Sequence, residues 1–274
     1  MLRDITLGQY YQSDSVIHKL DPRVKLITTI VFIVSLFVVD NFIGYIIAAL
    51  FLALVIRNSK VPFKFMVKGM KSILVLLLIT VFFNLFLTPG EALITVWKFT
   101  ITKEGLKTAA FMAIRLTFLI IGSSVMTLTT TPNNLTDGLE KLMRPLRVIR
   151  VPVHEIAMMM SIALRFIPIL LEETDKIMKA QIARGADFES GNLIKKAKSL
   201  VPLLVPLFIS AFRRANDLAM AMEARCYRGG DQRTKMKPLQ YKKRDALAYT
   251  VTAIYLAICI FAGRVLPGIL GFNI

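Results

Sequence analysis

Glu155-Ile-Ala-Met-Met-Met-Ser-Ile-Ala-Leu-Arg-Phe-Ile-Pro168 opens a stretch, Glu155 to Gly230, that reads as two long amphipathic helices with matching ends. The first stops at Ala183-Arg184-Gly185. The second follows a short basic linker and stops at Ala224-Arg225-Cys226. In the first helix Ile156, Met160, Ala163, Ile167, Leu170, Thr174 and Ile177 recur at spacings of three and four, which makes one apolar face. Ser161, Arg165, Glu172, Lys176 and Lys179 form a polar stripe of the same period. Glu172 with Lys176 and Asp175 with Lys179 are helical pairs in the favourable order. A helix from Glu155 to Arg184 spans roughly 45 Å. Its stripe reads as too polar for a bilayer and its other face as too apolar for water, so it must lie against something.

Working outward, composition sets the class. The chain has 274 residues, is 55% hydrophobic and carries a formal net charge of +17. In a soluble protein that charge would suggest nucleic acid. A mean hydropathy of +0.60 points instead to a membrane protein with basic cytoplasmic segments and no nucleic-acid partner. Cys226 and Cys259 lie in unlike settings and imply no disulfide. His18 and His154 alone cannot build a metal site. Arg3, Asp4, Asp14 and Asp21 leave no apolar run for a cleavable leader in the first 22 residues.

Apolar runs at 24–39 and 42–56, separated by Asp40-Asn41, predict a hairpin of two spans that Lys25 and Arg57 extend by snorkelling. Arg57, Lys60, Lys64, Lys68 and Lys71 follow without an acid and read as a cytoplasmic loop, which puts the N-terminus in the cytoplasm. A third span covers 72–88. Residues 89–108, with Trp97, Lys98 and Glu104, are expected outside, and a fourth span covers 109–129. Arg115 within it is read as snorkelling outward or paired inside the bundle. Asn133 to Ile149 reads as a short amphipathic helix capped by an Asn, with Leu135, Leu139, Leu142 and Leu146 on one face. Pro168 is expected to kink the first long helix, and Pro202 and Pro206 to sit in the opening turns of the second. After a polar linker, 246–263 is the last span, and the tail from Leu266 to Ile274 falls outside the cell. The expected fold is an all-α membrane protein of about five transmembrane helices plus long cytoplasmic or interfacial helices. Residues 1–129 hold four spans, 130–245 the cytoplasmic helices, and 246–274 the last span and tail.

A search for chemistry returns absences. The chain has no Gly-x-x-x-x-Gly-Lys-Ser/Thr loop for phosphates, no His-Glu-x-x-His and no Cys-x-x-Cys. Ser123-Ser124 lacks a histidine base, and the clusters Arg213-Arg214 and Lys195-Lys196-Lys198 suit anionic headgroups. The paired ends carry more. A single Arg before Gly is an ordinary helix terminus. Here Ala180-Gln181-Ile182-Ala183-Arg184 aligns without gaps on Ala221-Met222-Glu223-Ala224-Arg225. A guanidinium offers five donors in a rigid fork, and small neighbours admit a partner's backbone. The pair reads as two like plugs for two similar sockets in partner proteins.

At these residues the chain resembles the transmembrane coupling subunit, the T component, of energy-coupling factor (ECF) transporters. The resemblance covers nearly the whole chain. It is carried by Ser15-x-x-His18-Lys19-Leu20-Asp21-Pro22-Arg23-x-Lys25, by Ala163-Leu164-Arg165-Phe166-Ile167-Pro168 and by the two Ala-Arg-Gly type ends. Cys226 departs from the pattern: the family has glycine there, and cysteine disfavours the positive φ that glycine allows. The resemblance implies a multi-pass subunit of the cell membrane, working with two ATP-binding-cassette ATPases and one membrane-embedded substrate-binding subunit, the S component. Ala183, Arg184, Gly185, Ala224, Arg225 and Cys226 would dock the ATPases. The apolar faces would hold the S component, with Met159, Met160, Ala163, Ile167 and Leu170 as its contacts. Met158, Met178, Met220 and Met222 add an adaptable rim. The chain itself would be non-catalytic and without a cofactor, since ATP is bound by the ATPases. Vitamin uptake is the expected cargo class, with a transition-metal ion as the other. The rival reading, a secondary transporter acting alone, would need a polar midplane path, for which Arg115, Asn84 and the serines give little.

Overall fold

A computed structural model describes residues 10–39, 41–71, 73–96, 99–188, 192–229, 236 and 238–264. Arg3, Asp4, Asp40, Trp97, Lys98, the linker residues 230–235 and the tail from Leu266, all used above, lie outside the described residues. The chain divides into two compact units.

One unit takes the described residues of Gly8–Leu139 and Leu239–Ile274. Its helices are α1 (Pro22–Val38), α2 (Phe42–Ser59), α3 (Phe63–Lys71), α4 (Leu74–Leu87), α5 (Lys103–Thr129) and α9 (Lys243–Arg264). Asp21 caps α1 by accepting from the Arg23 amide, and Pro22 occupies the first turn, where its missing N–H costs nothing. α1 and α2 each pack on α5 and α9, and α4 packs along α5. Phe32, Leu36, Tyr45, Ala48, Leu52, Val125, Leu128, Tyr255 and Cys259 form the shared core. Gly122 makes room there: a Cβ would stand 2.7 Å from Phe32 Cε1. The rings of Phe51 and Tyr255 stack with centroids 4.2 Å apart. The Tyr255 hydroxyl shares a 2.7 Å hydrogen bond with Ser35 Oγ. The outer faces are apolar too. Ile30, Val34 and Phe37 of α1, Leu74, Val75 and Leu78 of α4, and Ile254, Ile258 and Phe261 of α9 are exposed. Contiguous apolar surface of that kind suits hydrocarbon, not water.

Two expectations change in this unit. The stretch after Arg57 is not all loop: Phe63–Lys71 is a helix, and Met66 is fully buried. Ala92–Val96 and Phe99–Thr102 pair as antiparallel β-strands, the one exception to the helical fold among the described residues. Ile94, Thr95, Val96, Thr100, Ile101 and Thr102 are β-branched and stiff, which favours strand over helix. Thr102 then joins the neighbouring helices. Its hydroxyl accepts from the Gly105 amide to cap α5 and donates to the Thr88 carbonyl at 2.9 Å.

The other unit takes the described residues of Glu140–Pro238. α6 (Pro132–Met143) leads into it, followed by a 3-10 helix (Arg144–Ile149), α7 (Val153–Ala183) and α8 (Leu193–Ala224). α6 starts two residues earlier than an Asn133 cap suggested: Thr131 accepts from the Asn134 amide through its hydroxyl and from the Leu135 amide through its carbonyl. Pro145 converts the run into a separate 3-10 turn. α8 begins at Leu193, inside the expected basic linker, because Lys and Ala are good helix formers. Pro202 and Pro206 therefore lie in the helix interior. Pro206 deprives the Pro202 carbonyl of its intrahelical donor, and the Gln181 side-chain amide reaches that carbonyl from α7 at 3.5 Å.

Among the described residues, four helices are long and apolar enough to cross a membrane: α2, α5, α7 and α9. α4 is apolar but has 14 residues, about 21 Å against a hydrocarbon core of about 30 Å. α7 meets the criterion although it reads as too polar above. Its charges crowd its second half, and between Val153 and Leu171 the only Asp, Glu, Lys or Arg residues are Glu155 and Arg165.

Candidate functional site

The two arginine ends share one backbone geometry. Arg184 follows the last turn of α7 with φ −87°, and Gly185 turns left-handed at φ +86°. The Gly185 amide donates to the Ile182 carbonyl and the Ala186 amide to the Gln181 carbonyl, both at 2.9 Å. At the end of α8, Arg225 has φ −92° and Cys226 turns left-handed at φ +55°. The Cys226 amide donates to Glu223 at 2.8 Å and the Tyr227 amide to Met222 at 3.0 Å. Each end is thus a Schellman motif, with its two crossed hydrogen bonds at matching positions. Cysteine keeps the positive φ expected of glycine, at a cost of about 1–2 kcal/mol for an L-residue.

Ala183, Arg184, Gly185, Ala224, Arg225 and Cys226 are all exposed. No hydrogen bond or ion pair among the described residues holds either guanidinium. Each arginine stands at the negative end of its helix, so a cation there is favoured.

α7 and α8 run antiparallel. Gln181 near the end of α7 meets Pro202 in the first third of α8, whereas Glu173, earlier in α7, meets Arg214, later in α8, at 3.0 Å. The arginine ends therefore lie at opposite ends of the pair. From Pro202 to Arg225 the axis of α8 runs roughly 35 Å.

Between them lies the apolar surface. Met159, Met160 and Ala163 are exposed, and Ile167 and Leu170 are half-buried. Leu170 and Thr174 open onto a cavity of about 600 Å³, completed by Leu204, Val205, Leu207, Phe208, Ile209 and Ala211 of α8. α8 thus supplies most of this wall, whereas the contact residues named from the sequence all lie on α7. Leu204, Phe208 and Phe212 are spaced by four and are all exposed, with the two Phe rings 4.8 Å apart. Reading Pro202 and Pro206 as helix-start residues hid that periodicity.

The segment from Ser15 to Lys25 is a clamp. His18 Nε2–H donates to the Tyr11 carbonyl at 2.9 Å, which leaves Nδ1 to accept from the Ser15 hydroxyl at 2.6 Å. Burial pushes the His18 pKa below its ordinary value despite the bond to Tyr11. The Lys25 ammonium, buried, donates to the carbonyls of His18 and Thr129. Burial would raise the Asp21 carboxyl, but the hydrogen bonds and charge of Arg23 hold it below its usual range. Asp245, at the start of α9, accepts from the amides of Asp21 and Lys242. The Arg23 guanidinium lies 3.8 Å from the centre of the Tyr241 ring. One motif therefore joins the starts of α1 and α9 to the end of α5. Arg115 is paired inside the bundle: its Nε donates to the Tyr45 hydroxyl at 2.9 Å and its Nη2 to the Val39 carbonyl at 3.4 Å.

The family model described as cobalt transport protein, CbiQ, matches residues 13–236. A protein of Clostridium kluyveri named energy-coupling factor transporter transmembrane protein EcfT is 59% identical over 264 residues, covering 96% of this chain and 98% of the relative. Proteins of the same name from Thermosediminibacter oceani and Bacillus subtilis are 54% and 45% identical, covering 92% and 95% of this chain and 96% and 98% of their own.

Proposed function

Since the chain belongs to the cobalt transport protein (CbiQ) family, as the transmembrane component of an energy-coupling factor transporter, we propose that it couples two ATP-binding-cassette ATPases to a membrane-embedded S component for the import of a micronutrient. The observation that supports this reading most is the equivalence of the two arginine ends: the same capped backbone, twice, at opposite ends of one antiparallel helix pair. Two like ends suit two like sockets. Ala183, Arg184 and Gly185 dock one ATPase, and Ala224, Arg225 and Cys226 dock the other. The chain carries no catalysis of its own; ATP is bound and hydrolysed by the ATPases. A vitamin is the cargo class we favour.

The coupling step follows from length and packing. When the ATPases bind ATP and close, their sockets approach, and the exposed helix ends move with them. Because α7 and α8 pack against each other, a displacement at either end shifts the apolar wall between them. That wall, with Met159, Met160, Ala163, Ile167 and Leu170 facing the partner beside Leu204 and Phe208 of α8, holds the S component by non-directional burial, which tolerates reorientation. The N-terminus and the region from Thr130 to Asp245 lie on the cytoplasmic side of the cell membrane, in keeping with the acid-free run Arg57, Lys60, Lys64.

Purification of the tagged chain with its co-expressed partners tests this reading. Met159→Glu or Phe208→Glu should release the small hydrophobic partner and leave the ATPases bound. Retention of every partner with normal uptake would place the contact surface elsewhere.

A further inference from the structure

Between α6 and α7 the chain reads Arg144-Pro145-Leu146-Arg147-Val148-Ile149-Arg150-Val151-Pro152, with three arginines and no acid. Val148 is 89% exposed and Ile149 75%, far beyond what a turn in water needs. Nothing in the two arginine ends or the apolar wall uses this turn.

Three features make it fit for a lipid interface. First, its backbone is closed on itself. The Arg150 amide donates to Arg147 at 3.0 Å, the Val151 amide to Leu146 at 3.4 Å, and the Val153 amide to Val151 at 2.9 Å. Those N–H groups can enter a low-dielectric layer without losing a partner. Second, Pro145 and Pro152 bracket the turn and Arg150 holds a left-handed φ of +61°, so the shape is set before anything binds. Third, the apolar and cationic residues interleave. A guanidinium on a three-carbon stem can stay at phosphate level while neighbouring aliphatics go deeper.

We propose that residues 144–151 are a membrane anchor: Val148 and Ile149 insert at the headgroup–acyl boundary of the cytoplasmic leaflet, and Arg144 and Arg150 bind the phosphates of anionic phospholipids. Charge complementarity selects this occupant. The cytoplasmic leaflet is anionic, and a segment of net charge +3 with an apolar tip matches its layered chemistry. A protein partner facing Arg144 and Arg150 would need a matching acidic pocket around an apolar centre. The anchor does not depend on what Arg184 and Arg225 bind; it would fix one end of α7 at the membrane surface.

The test uses the full chain, assembled with its partners in nanodiscs of phosphatidylcholine mixed with the anionic lipid phosphatidylglycerol. In a background with Cys226→Ala and Cys259→Ala, a single cysteine carrying a bimane fluorophore replaces Val148, Ile149 or, as an aqueous reference, Asp217. Quenching by brominated phospholipid should be at least about threefold stronger at 148 and 149 than at 217, with iodide quenching in the opposite order. In pure phosphatidylcholine the difference should shrink. Equal iodide quenching at 148 and 217 would overturn the anchor. So would protection from both quenchers with photocrosslinking to a partner chain, which would make the turn a protein-docking site. Unchanged insertion in pure phosphatidylcholine would overturn the role of the arginines. No arginine is altered, so misfolding of a charge variant cannot mimic any of these results.

Discussion

Replacing Gly185 by alanine should loosen the end of α7 by a calculable amount. Gly185 has φ +86°, and a Cβ there would meet nothing within 4 Å. The substitution therefore removes no contact and creates no clash; its cost is the backbone conformation alone, about 1–2 kcal/mol for an L-residue in the left-handed region. The energy falls on two hydrogen bonds, Gly185 to Ile182 and Ala186 to Gln181. If that end frays as a local opening, the protection of those amides should fall by roughly 5- to 30-fold, the ratio that corresponds to such a free energy. Hydrogen–deuterium exchange on a peptide covering 181–188 reads this directly. The other end supplies the mirror experiment. Cys226 already carries the strain at φ +55°, so Cys226→Gly should slow exchange at the Cys226 and Tyr227 amides by a similar factor, and Cys226→Ala should leave it nearly unchanged. Exchange that is indifferent to Gly185→Ala, or faster in Cys226→Gly, would refute the claim that the two ends are the same motif.

Further outcomes are expected from the packing. Tyr255→Phe keeps the stack on Phe51 and loses the hydroxyl bond to Ser35, which should lower stability in detergent by about 1 kcal/mol in a thermal melt. Glu173→Gln weakens a partly exposed ion pair with Arg214 and should cost no more than about 1 kcal/mol by the same assay, because solvent screens it. His18 is held neutral, its folded pKa below the unfolded value of about 6.5, so the unfolded state takes up its proton first. Its stabilising contribution is intact above about pH 6.5 and declines as pH falls toward the folded pKa. A melt series from neutral to mildly acidic pH should show a shallower decline for His18→Gln than for the unsubstituted chain.

Much of this site was legible from residues alone because helix ends are local events. Ala-Arg-Gly after a periodic run specifies where α7 stops, and the gapless alignment with Ala-Arg-Cys carried the same reading to α8. The spans at α2, α5 and α9 were legible because apolar runs of that length have few other uses, whereas α7 read as too polar because its charges crowd one half. What escaped the reading depended on competition between signals. The lysines at 195, 196 and 198 looked like a linker, yet they also favour helix, and α8 grew backward through them until Pro202 and Pro206 became interior. That shift concealed the apolar wall of Leu204, Phe208 and Phe212. The strand pair Ala92–Val96 and Phe99–Thr102 was hidden among charged and aromatic residues, although its β-branched runs pointed to strands. The clamp from Ser15 to Lys25 was recognised by its pattern but not understood, because its partners Thr129, Tyr241 and Asp245 are distant in sequence.

Native mass spectrometry of the complex, purified without nucleotide, tests the coupling account most directly. The unsubstituted chain should carry two ATPase subunits. Arg184→Glu and Arg225→Glu should each lower the yield of that complex, since removing one partner of a buried, hydrogen-bonded charge contact costs about 2–5 kcal/mol. The double variant should retain none while still binding the small membrane partner. A double variant that holds both ATPases at undiminished yield would contradict the account, because the two arginine ends would then not be where the ATPases dock.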